Sequence, residues 1–303
     1  MLIGPVSLPQ LVPHPGVTGL AIGVFDGVHL GHQAVVRSLT GHVAALTFEP
    51  HPLAVIAPDR LPPRLTTLEQ KVAYMRAQGT VAVVAVKFDS ALREFSPEDF
   101  VREIKRIFPD LREVAIGENW SFGRNREGNA TRLAELALTH GFTVKAIAPV
   151  QLDGAPVSST RIREAILQRR FDEATRLLGR SYAVSGQVAH GEGRGRKIGF
   201  PTANLVETEQ MLPPRGVYAV RVRVAGNLTK YPAVMNLGQR PTFTSNGTDS
   251  LEVHLLDFQA DLYGQKLWVS DFVWLRDEQP FPNADALKAQ ITEDIARARA
   301  ILS

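Results

Sequence analysis

The sequence predicts an α/β domain followed by an all-β domain. Three features carry that prediction. Apolar runs alternate with helix-like segments over the first 180 residues. From residue 181 strand-like segments follow one another across turns rich in Gly, Pro and Asn. A periodic apolar stripe closes the chain. At roughly 100–200 residues per domain, 303 residues make two domains, expected as 1–180 and 181–303 with the boundary near 180–184.

In the first part, 20–24 is a short apolar run, 32–39 has helical character and 43–48 is strand-like. Residues 68–78 form a helix closed by Gly79, since glycine takes the left-handed position after a helix end. The unbroken apolar run 81–86 reads as a buried parallel strand. Ser96 caps the helix 99–107, with Pro97 in its first turn and Glu98 and Asp99 beside it. A strand at 114–116, a helix at 131–140 and a strand at 143–147 complete the alternation. This β-α-β-α rhythm predicts a doubly wound parallel sheet. Two short helices, 161–168 and 172–178, lead to the boundary. Beyond it, strands at 184–188, 217–224, 231–236, 250–258 and 267–274 predict an antiparallel barrel or sandwich. Leu287, Ile291, Ile295 and Leu302 share a helical period and form a final amphipathic helix.

Composition narrows the chemistry. With no cysteine, disulfides, a cysteine nucleophile, iron–sulfur clusters and cysteine-bound zinc are excluded. The pI is near 9.3, but a net charge of +3 is a weak field, and no basic run marks a nucleic-acid face. No stretch approaches the about 18 apolar residues of a membrane span, and the N-terminus lacks the pattern of a secretory signal. The expectation is a cytoplasmic protein that binds neither nucleic acid nor membrane, with small polyanions as candidate ligands.

The first candidate site follows the first apolar run: Gly23, Val24, Phe25, Asp26, Gly27, Val28, His29, Leu30, Gly31, His32. His29 and His32 share a face of a helical turn. A helix N-terminus presents free N–H groups and partial positive charge to a phosphate, and two imidazoles there can hold the oxygens of a pentacoordinate phosphorus. The alternatives are two surface histidines beside a turn, or a metal pair without a third ligand nearby. The motif is shared with class I aminoacyl-tRNA synthetases, but a tRNA-binding module is not visible here. Phe48-Glu49-Pro50-His51-Pro52 ends the next strand, where a parallel sheet borders its ligand crevice. Asn119 and Trp120 follow another strand end. Ser158, Ser159, Thr160, Arg161 and Arg163 gather three hydroxyls and two guanidiniums, a set suited to a polyphosphate. A plain capped helix start is the alternative.

The second candidate site begins at His190-Gly191-Glu192-Gly193-Arg194-Gly195-Arg196-Lys197-Ile198-Gly199. This loop matches neither the Walker A pattern nor the dinucleotide fingerprint. Its glycine backbone and basic side chains can still enclose phosphates; a mobile hairpin is the alternative. Thr202 and Asn204 offer hard oxygen donors compatible with Mg²⁺, or a structural turn. Strand alternation puts Glu252 and His254 on one face and Leu251, Val253 and Leu255 on the other. Facing a phosphate site, Glu252 can take the proton of an attacking hydroxyl; otherwise it is a solvated carboxylate.

These motifs, in this order over nearly the whole chain, resemble the prokaryotic bifunctional riboflavin kinase/FMN adenylyltransferase (FAD synthetase) family. The most specific pieces are 25–32, 158–163, 199–204, 235–243 and 251–258. The resemblance implies a Rossmann-like nucleotidylyltransferase domain and a six-stranded riboflavin kinase barrel. It implies that His29 and His32 stabilise the phosphates of ATP as FMN attacks, releasing pyrophosphate and FAD. Gly23, Phe25, Asp26, His51, Asn119, Ser159, Thr160 and Arg163 would hold ATP and FMN. In the kinase half, Thr202 and Asn204 would bind Mg²⁺ with ATP, and Glu252 would be the base for the riboflavin 5′-hydroxyl, leaving FMN and ADP. Gly191, Gly193, Arg196 and Gly199 would close over the nucleotide, and Arg240 with Pro241-Thr242-Phe243 would border the flavin. One departure is Asn119-Trp120 where many members carry Asp-Phe: an acceptor is kept and a charge lost. Rival readings are a nucleotidylyltransferase for another small molecule, against which Thr202, Asn204 and Glu252 speak, and a flavin-binding regulator without turnover, against which the intact histidines and Glu252 speak.

Overall fold

A strand buried on both faces needs apolar residues at consecutive positions, and the N-terminal runs supply them. The computed structural model describes residues 1–191, 194–239 and 249–303. Two compact units divide the chain, Met1–Ser159 and Thr160–Ser303.

In chain order the first unit runs β1 (Leu2–Val6), β2 (Gly19–Ile22), α1 (Leu30–Arg37), β3 (Val43–Glu49), α2 (Pro52–Ile56), α3 (Leu68–Ala77), β4 (Ala82–Lys87), α4 (Ser90–Arg93), α5 (Pro97–Ile107), β5 (Glu113–Gly117), α6 (Ala130–His140), β6 (Thr143–Ile147) and a small hairpin of β7 (Gln151–Leu152) and β8 (Ala155–Pro156). Six strands form one parallel sheet in the order β1-β4-β3-β2-β5-β6. Alternate residues serve opposite faces. Leu20, Leu46, Val84 and Ile116 pack with Phe100 and Ile104 of α5 and Leu133 of α6. Ala21, Ala45 and Val83 pack with Val35 and Val36 of α1 and Met75 of α3. Helices thus cover both faces, as a doubly wound sheet requires.

The helix starts are those the sequence encodes. Ser96 caps α5 through Asp99 N, with Pro97 in the first turn, and Thr67 and Gln70 make a reciprocal capping box on α3. Strand β1 was not expected. Gly4 and Pro5 interrupt its apolar pattern, yet Gly4 sits at φ +97° with its α-carbon against the Ala85 backbone, so the close pairing with β4 itself requires glycine.

The chain order reverses between β2 and β5, with β3 and β4 on one side and β6 on the other. At such a switch point the crevice opens beyond the strand C-termini, here Ile22 and Gly117.

Helix α7 (Ser159–Leu167) spans the division between units, and α8 (Phe171–Leu178) ends on Gly179 in the left-handed conformation, φ 68°. The sequence expectation divides the chain at 180; by packing, α8 goes with the second unit. Phe171 lies 5.5 Å from the ring of Phe272 and edge-on to Tyr218 at 6.0 Å.

Then follow β9 (Ala183–Ala189), α9 (Arg194–Lys197), β10 (Ala203–Val206), β11 (Gly216–Val224), β12 (Lys230–Gln239), β13 (Asp249–Leu255), β14 (Lys266–Arg276) and α10 (Ala284–Leu302). The six strands close into an antiparallel barrel in the order β10-β13-β12-β11-β14-β9, which decides between barrel and sandwich. Strand β10 escaped the sequence reading because it is only four residues long and begins one residue beyond Thr202, directly after the turn at Pro201. Val184, Val220, Met235, Val253 and Val269 are fully buried. On the outside, Ala298 and Leu302 of α10 pack with Val217, Ala219 and Leu275. Asp294, 1% exposed, accepts from Arg276 Nε and Nη2 at 3.0 and 2.8 Å, fastening α10 to β14.

Candidate active sites

The turn after β2 is built from left-handed residues. Phe25, Gly27 and Val28 take φ of 55°, 86° and 42°. The segment is held from outside: the Asp26 carboxylate accepts from Leu65 N at 3.0 Å and Thr66 N at 3.1 Å, and Gly27 N donates to Thr66 Oγ1 at 3.1 Å. Ser159 Oγ donates to Asp26 O at 2.8 Å. Asp26 and Phe25 are therefore buried in the turn and shape it. Gly23 is required there, since an added Cβ would stand 2.9 Å from the Phe25 ring.

His29 is the N-cap of α1. Its Nδ1 accepts from His32 N at 3.3 Å, and the two imidazoles stack with centroids 3.6 Å apart and planes at 17°. Phe25 meets His32 edge-on at 5.3 Å. The expected histidine pair is thus one rigid unit at a helix N-terminus and at the switch point. Gly31 leaves room for it: a Cβ there would lie 3.1 Å from His29 Cε1.

Beyond the ends of β3, β4 and β5 lies a cavity of about 600 Å³. His51 and Asn119 line it together with Phe48, Phe88, Phe100 and Trp120. Trp120 stacks on Phe122 at 4.8 Å and 10°. His51 caps α2, its Nδ1 accepting from Leu53 N at 3.1 Å. The aromatic wall was missed from sequence, because its members come from separate segments that only the sheet order brings together. Missed as well was Lys71 of α3, 4% exposed, whose ammonium donates to Thr47 Oγ1 at 3.1 Å. Desolvation by burial pulls its pKa below the ordinary lysine value, against the carboxylates of Glu49 and Asp26.

Thr160 and Arg163 belong to the second unit, on α7. Arg161, one of the two guanidiniums expected to face phosphate, pairs with Glu173 at 3.0 Å.

In the barrel, Glu252 and His254 are half-buried while Leu251, Val253 and Leu255 are buried, the expected alternation. Register places Glu252 opposite Asn204 on one side and Asn236 on the other, and opposite residues of an antiparallel pair share a face. Thr202 Oγ1 donates to Glu252 Oε2 at 3.2 Å, and Ser250 Oγ to Oε1 at 3.3 Å. His254 Nδ1 meets Pro201 O at 2.7 Å. Gly191 makes room for Asn204: a Cβ there would overlap the Asn204 amide.

Two cavities flank this row. One, of about 530 Å³, is lined by Arg196, Thr202, Phe258 and Tyr263. The other, of about 340 Å³, is lined by Thr202, Asn236, Glu252, Glu278 and Phe281. Asn236 Nδ2 donates to Glu278 Oε1 at 3.4 Å, a pairing across 42 residues that no local pattern announces. Gly199 adopts φ 91°. Gly193 and Arg240, with Pro241, Thr242 and Phe243, lie outside the described residues.

Comparisons with known proteins fall on the same two halves. Residues 13–161 match the family model described as FAD synthetase, and residues 178–302 the one described as riboflavin kinase. A bifunctional riboflavin kinase/FMN adenylyltransferase of Pseudomonas fluorescens is 39% identical over 287 residues, covering 92% of this chain and 91% of that protein. A protein of the same description from Haemophilus influenzae is 38% identical, covering 94% of each. Among solved structures, one described as a macrolide-efflux protein from Streptococcus pneumoniae superposes with a TM-score of 0.84 at 28% identity, over 99% of this chain and 98% of that one. Among the described residues, no helix here is long and apolar enough to cross a membrane.

Proposed function

The chain belongs to the bifunctional riboflavin kinase/FMN adenylyltransferase family, and from that premise we propose how its residues divide the two reactions. The protein phosphorylates riboflavin to FMN with ATP, and joins FMN to the adenylyl group of ATP to give FAD and pyrophosphate. We assign the first reaction to residues 181–303 and the second to 1–180. One observation carries the division: each unit holds its own phosphate-handling group, the stacked His29 and His32 in the first and Thr202 with Glu252 in the second.

In adenylyl transfer, an FMN phosphate oxygen attacks the α-phosphorus, and the bond to pyrophosphate breaks. Two ring N–H groups and the N-terminus of α1 neutralise charge on the equatorial oxygens. Ser159, whose hydroxyl is fixed on Asp26 O of the turn before α1, faces the departing phosphates. The aromatic cavity takes the flat isoalloxazine ring; 600 Å³ with stacked walls suits a tricyclic ligand. His51 and Asn119 orient it, while Gly23, Phe25 and Asp26 shape the turn that receives ATP.

In the kinase reaction, Glu252 accepts the proton of the 5′-hydroxyl as its oxygen bonds to the γ-phosphorus and ADP leaves. The more apolar cavity beside Glu278 and Phe281 receives riboflavin, and the one at Arg196 and Tyr263 receives the nucleotide. The site fits Mg²⁺: a hydroxyl and an amide stand beside a carboxylate, all hard oxygen donors, and this ion takes few protein ligands when phosphates complete its shell. Thr202 and Asn204 would hold it, and the bound ion would neutralise phosphate charge. Gly191, Arg196 and Gly199 enclose the phosphates. Both reactions draw on ATP, and the cytoplasm is the compartment that fits.

A single incubation with riboflavin, Mg²⁺ and ATP, followed by separation of flavins, tests the reading. FMN and FAD together support it. FMN alone would make the first half inactive or otherwise specialised, and the absence of any product would favour a binding protein.

A further inference from the structure

Lys71 is out of place by ordinary rules of burial. It is 4% exposed, and among the described residues it is the one buried lysine. Its ammonium has one hydrogen bond among the described residues, to a neutral partner, Thr47 Oγ1 at 3.1 Å. Three donors on a desolvated charge are poorly served by that. The neighbouring carboxylates are already satisfied: Glu49 pairs with Arg64, and Asp26 accepts from Leu65 N, Thr66 N and Thr66 Oγ1. Among the described residues, neither carboxylate is hydrogen-bonded to the lysine. An apolar side chain of the same length would fill this position with less desolvation cost.

What Lys71 does reach is the catalytic turn. Thr47, fully buried, uses its hydroxyl hydrogen to bond Val24 O at 2.9 Å. With Lys71 donating to the oxygen of Thr47, the hydroxyl hydrogen has to point the other way, toward Val24. The relay runs from α3 through the middle of β3 to the residue before left-handed Phe25, whose ring lies edge-on against His32. We propose that Lys71 is a positioning residue for adenylyl transfer: through Thr47 it fixes the start of the 23–32 turn and hence the placement of the stacked histidines. The proposal rests on the assignment of adenylyl transfer to His29 and His32.

The test uses the full-length protein with two substitutions, Lys71→Met and Thr47→Val, each keeping the volume of the side chain. For FAD formation from supplied FMN, kcat falls at least about 10-fold in both, because a displaced site costs rate steeply, while KM for FMN stays within about two-fold. The melting temperature of Lys71→Met is no lower than that of wild type, and its riboflavin kinase rate is unchanged. Thr47→Ser, which keeps the hydroxyl, restores most of the lost kcat. An unchanged kcat in either variant overturns the proposal. So does a joint fall of kcat, melting temperature and kinase rate in Lys71→Met, the signature of a merely structural lysine. A wild-type protein that made no FAD would sink the parent assignment and the proposal with it. Failure of the proposal alone looks different: the wild type works and Lys71→Met works equally well.

Discussion

A single methyl group on Gly31 separates the stability of α1 from the chemistry at its N-terminus. Gly31 lies in the first turn of a regular helix, so Gly31→Ala is tolerated by the backbone and gains up to about 1 kcal/mol of helix propensity. Its Cβ, however, would stand 3.1 Å from His29 Cε1 and 3.2 Å from Nδ1, inside ordinary carbon contact. The imidazole must retreat by a few tenths of an ångström, and its stack on His32, now 3.6 Å between centroids, shifts with it. A misplacement of about 1 Å at a reacting group costs on the order of 100-fold in rate. A shift of about 0.3–0.5 Å, scaled logarithmically, costs about 4–10-fold. The assay is FAD formation from FMN and ATP, with the riboflavin kinase rate of the same molecule as internal control and thermal unfolding alongside. The expected result is lower kcat for FAD, unchanged kinase rate and a melting temperature no lower than wild type. Undiminished FAD formation would show that the His29 position does not limit the reaction, and the geometric reasoning would fail.

His29→Ala abolishes FAD formation and leaves FMN formation, as separated flavin products would report. Glu252→Gln keeps the shape of the side chain but not its basicity, so phosphorylation of riboflavin falls about 10²–10⁴-fold while supplied FMN is still converted to FAD; loss of both steps would argue against two sites. Asp294→Ala strands Arg276 at the base of α10 and destabilises the barrel by about 3–5 kcal/mol, the usual cost of breaking a buried pair, seen as a lower urea midpoint for the second unit. Burial pushes the Asp271 carboxyl up, but hydrogen bonds from Lys230 and Ser181 and the Lys230 charge hold it below the usual range. A depressed carboxylate stabilises the fold above its unfolded pKa of about 3.9 and loses that contribution as pH falls through the folded value. Urea unfolding of Asp271→Asn against wild type therefore shows its widest gap near neutral pH, closing below about pH 3.9.

The two sites differ in how much of them was legible in the sequence. The histidine turn could be read because its parts are contiguous: strand, glycine, imidazoles and helix follow within ten residues. Glu252 could be assigned a face because strand alternation needs only its neighbours. The aromatic wall and Lys71 could not be read, since Phe48, Phe88 and Trp120 meet only through the order of the sheet, and a lysine inside a helix is ordinarily solvated. Asn236 became meaningful only when the register of β12 and β13 set it opposite Glu252. Strand β1 was hidden by the same Gly4 and Pro5 that let it approach β4.

The cap on α1 has one more consequence. Nδ1 of His29 accepts the amide hydrogen of His32, so a neutral His29 ring must carry its own hydrogen on Nε2. His51 repeats the arrangement, with Nδ1 accepting from Leu53 N. In both, the start of a helix acts as a tautomer lock. The backbone decides which nitrogen carries the hydrogen, and a ring N–H is what an anionic ligand requires.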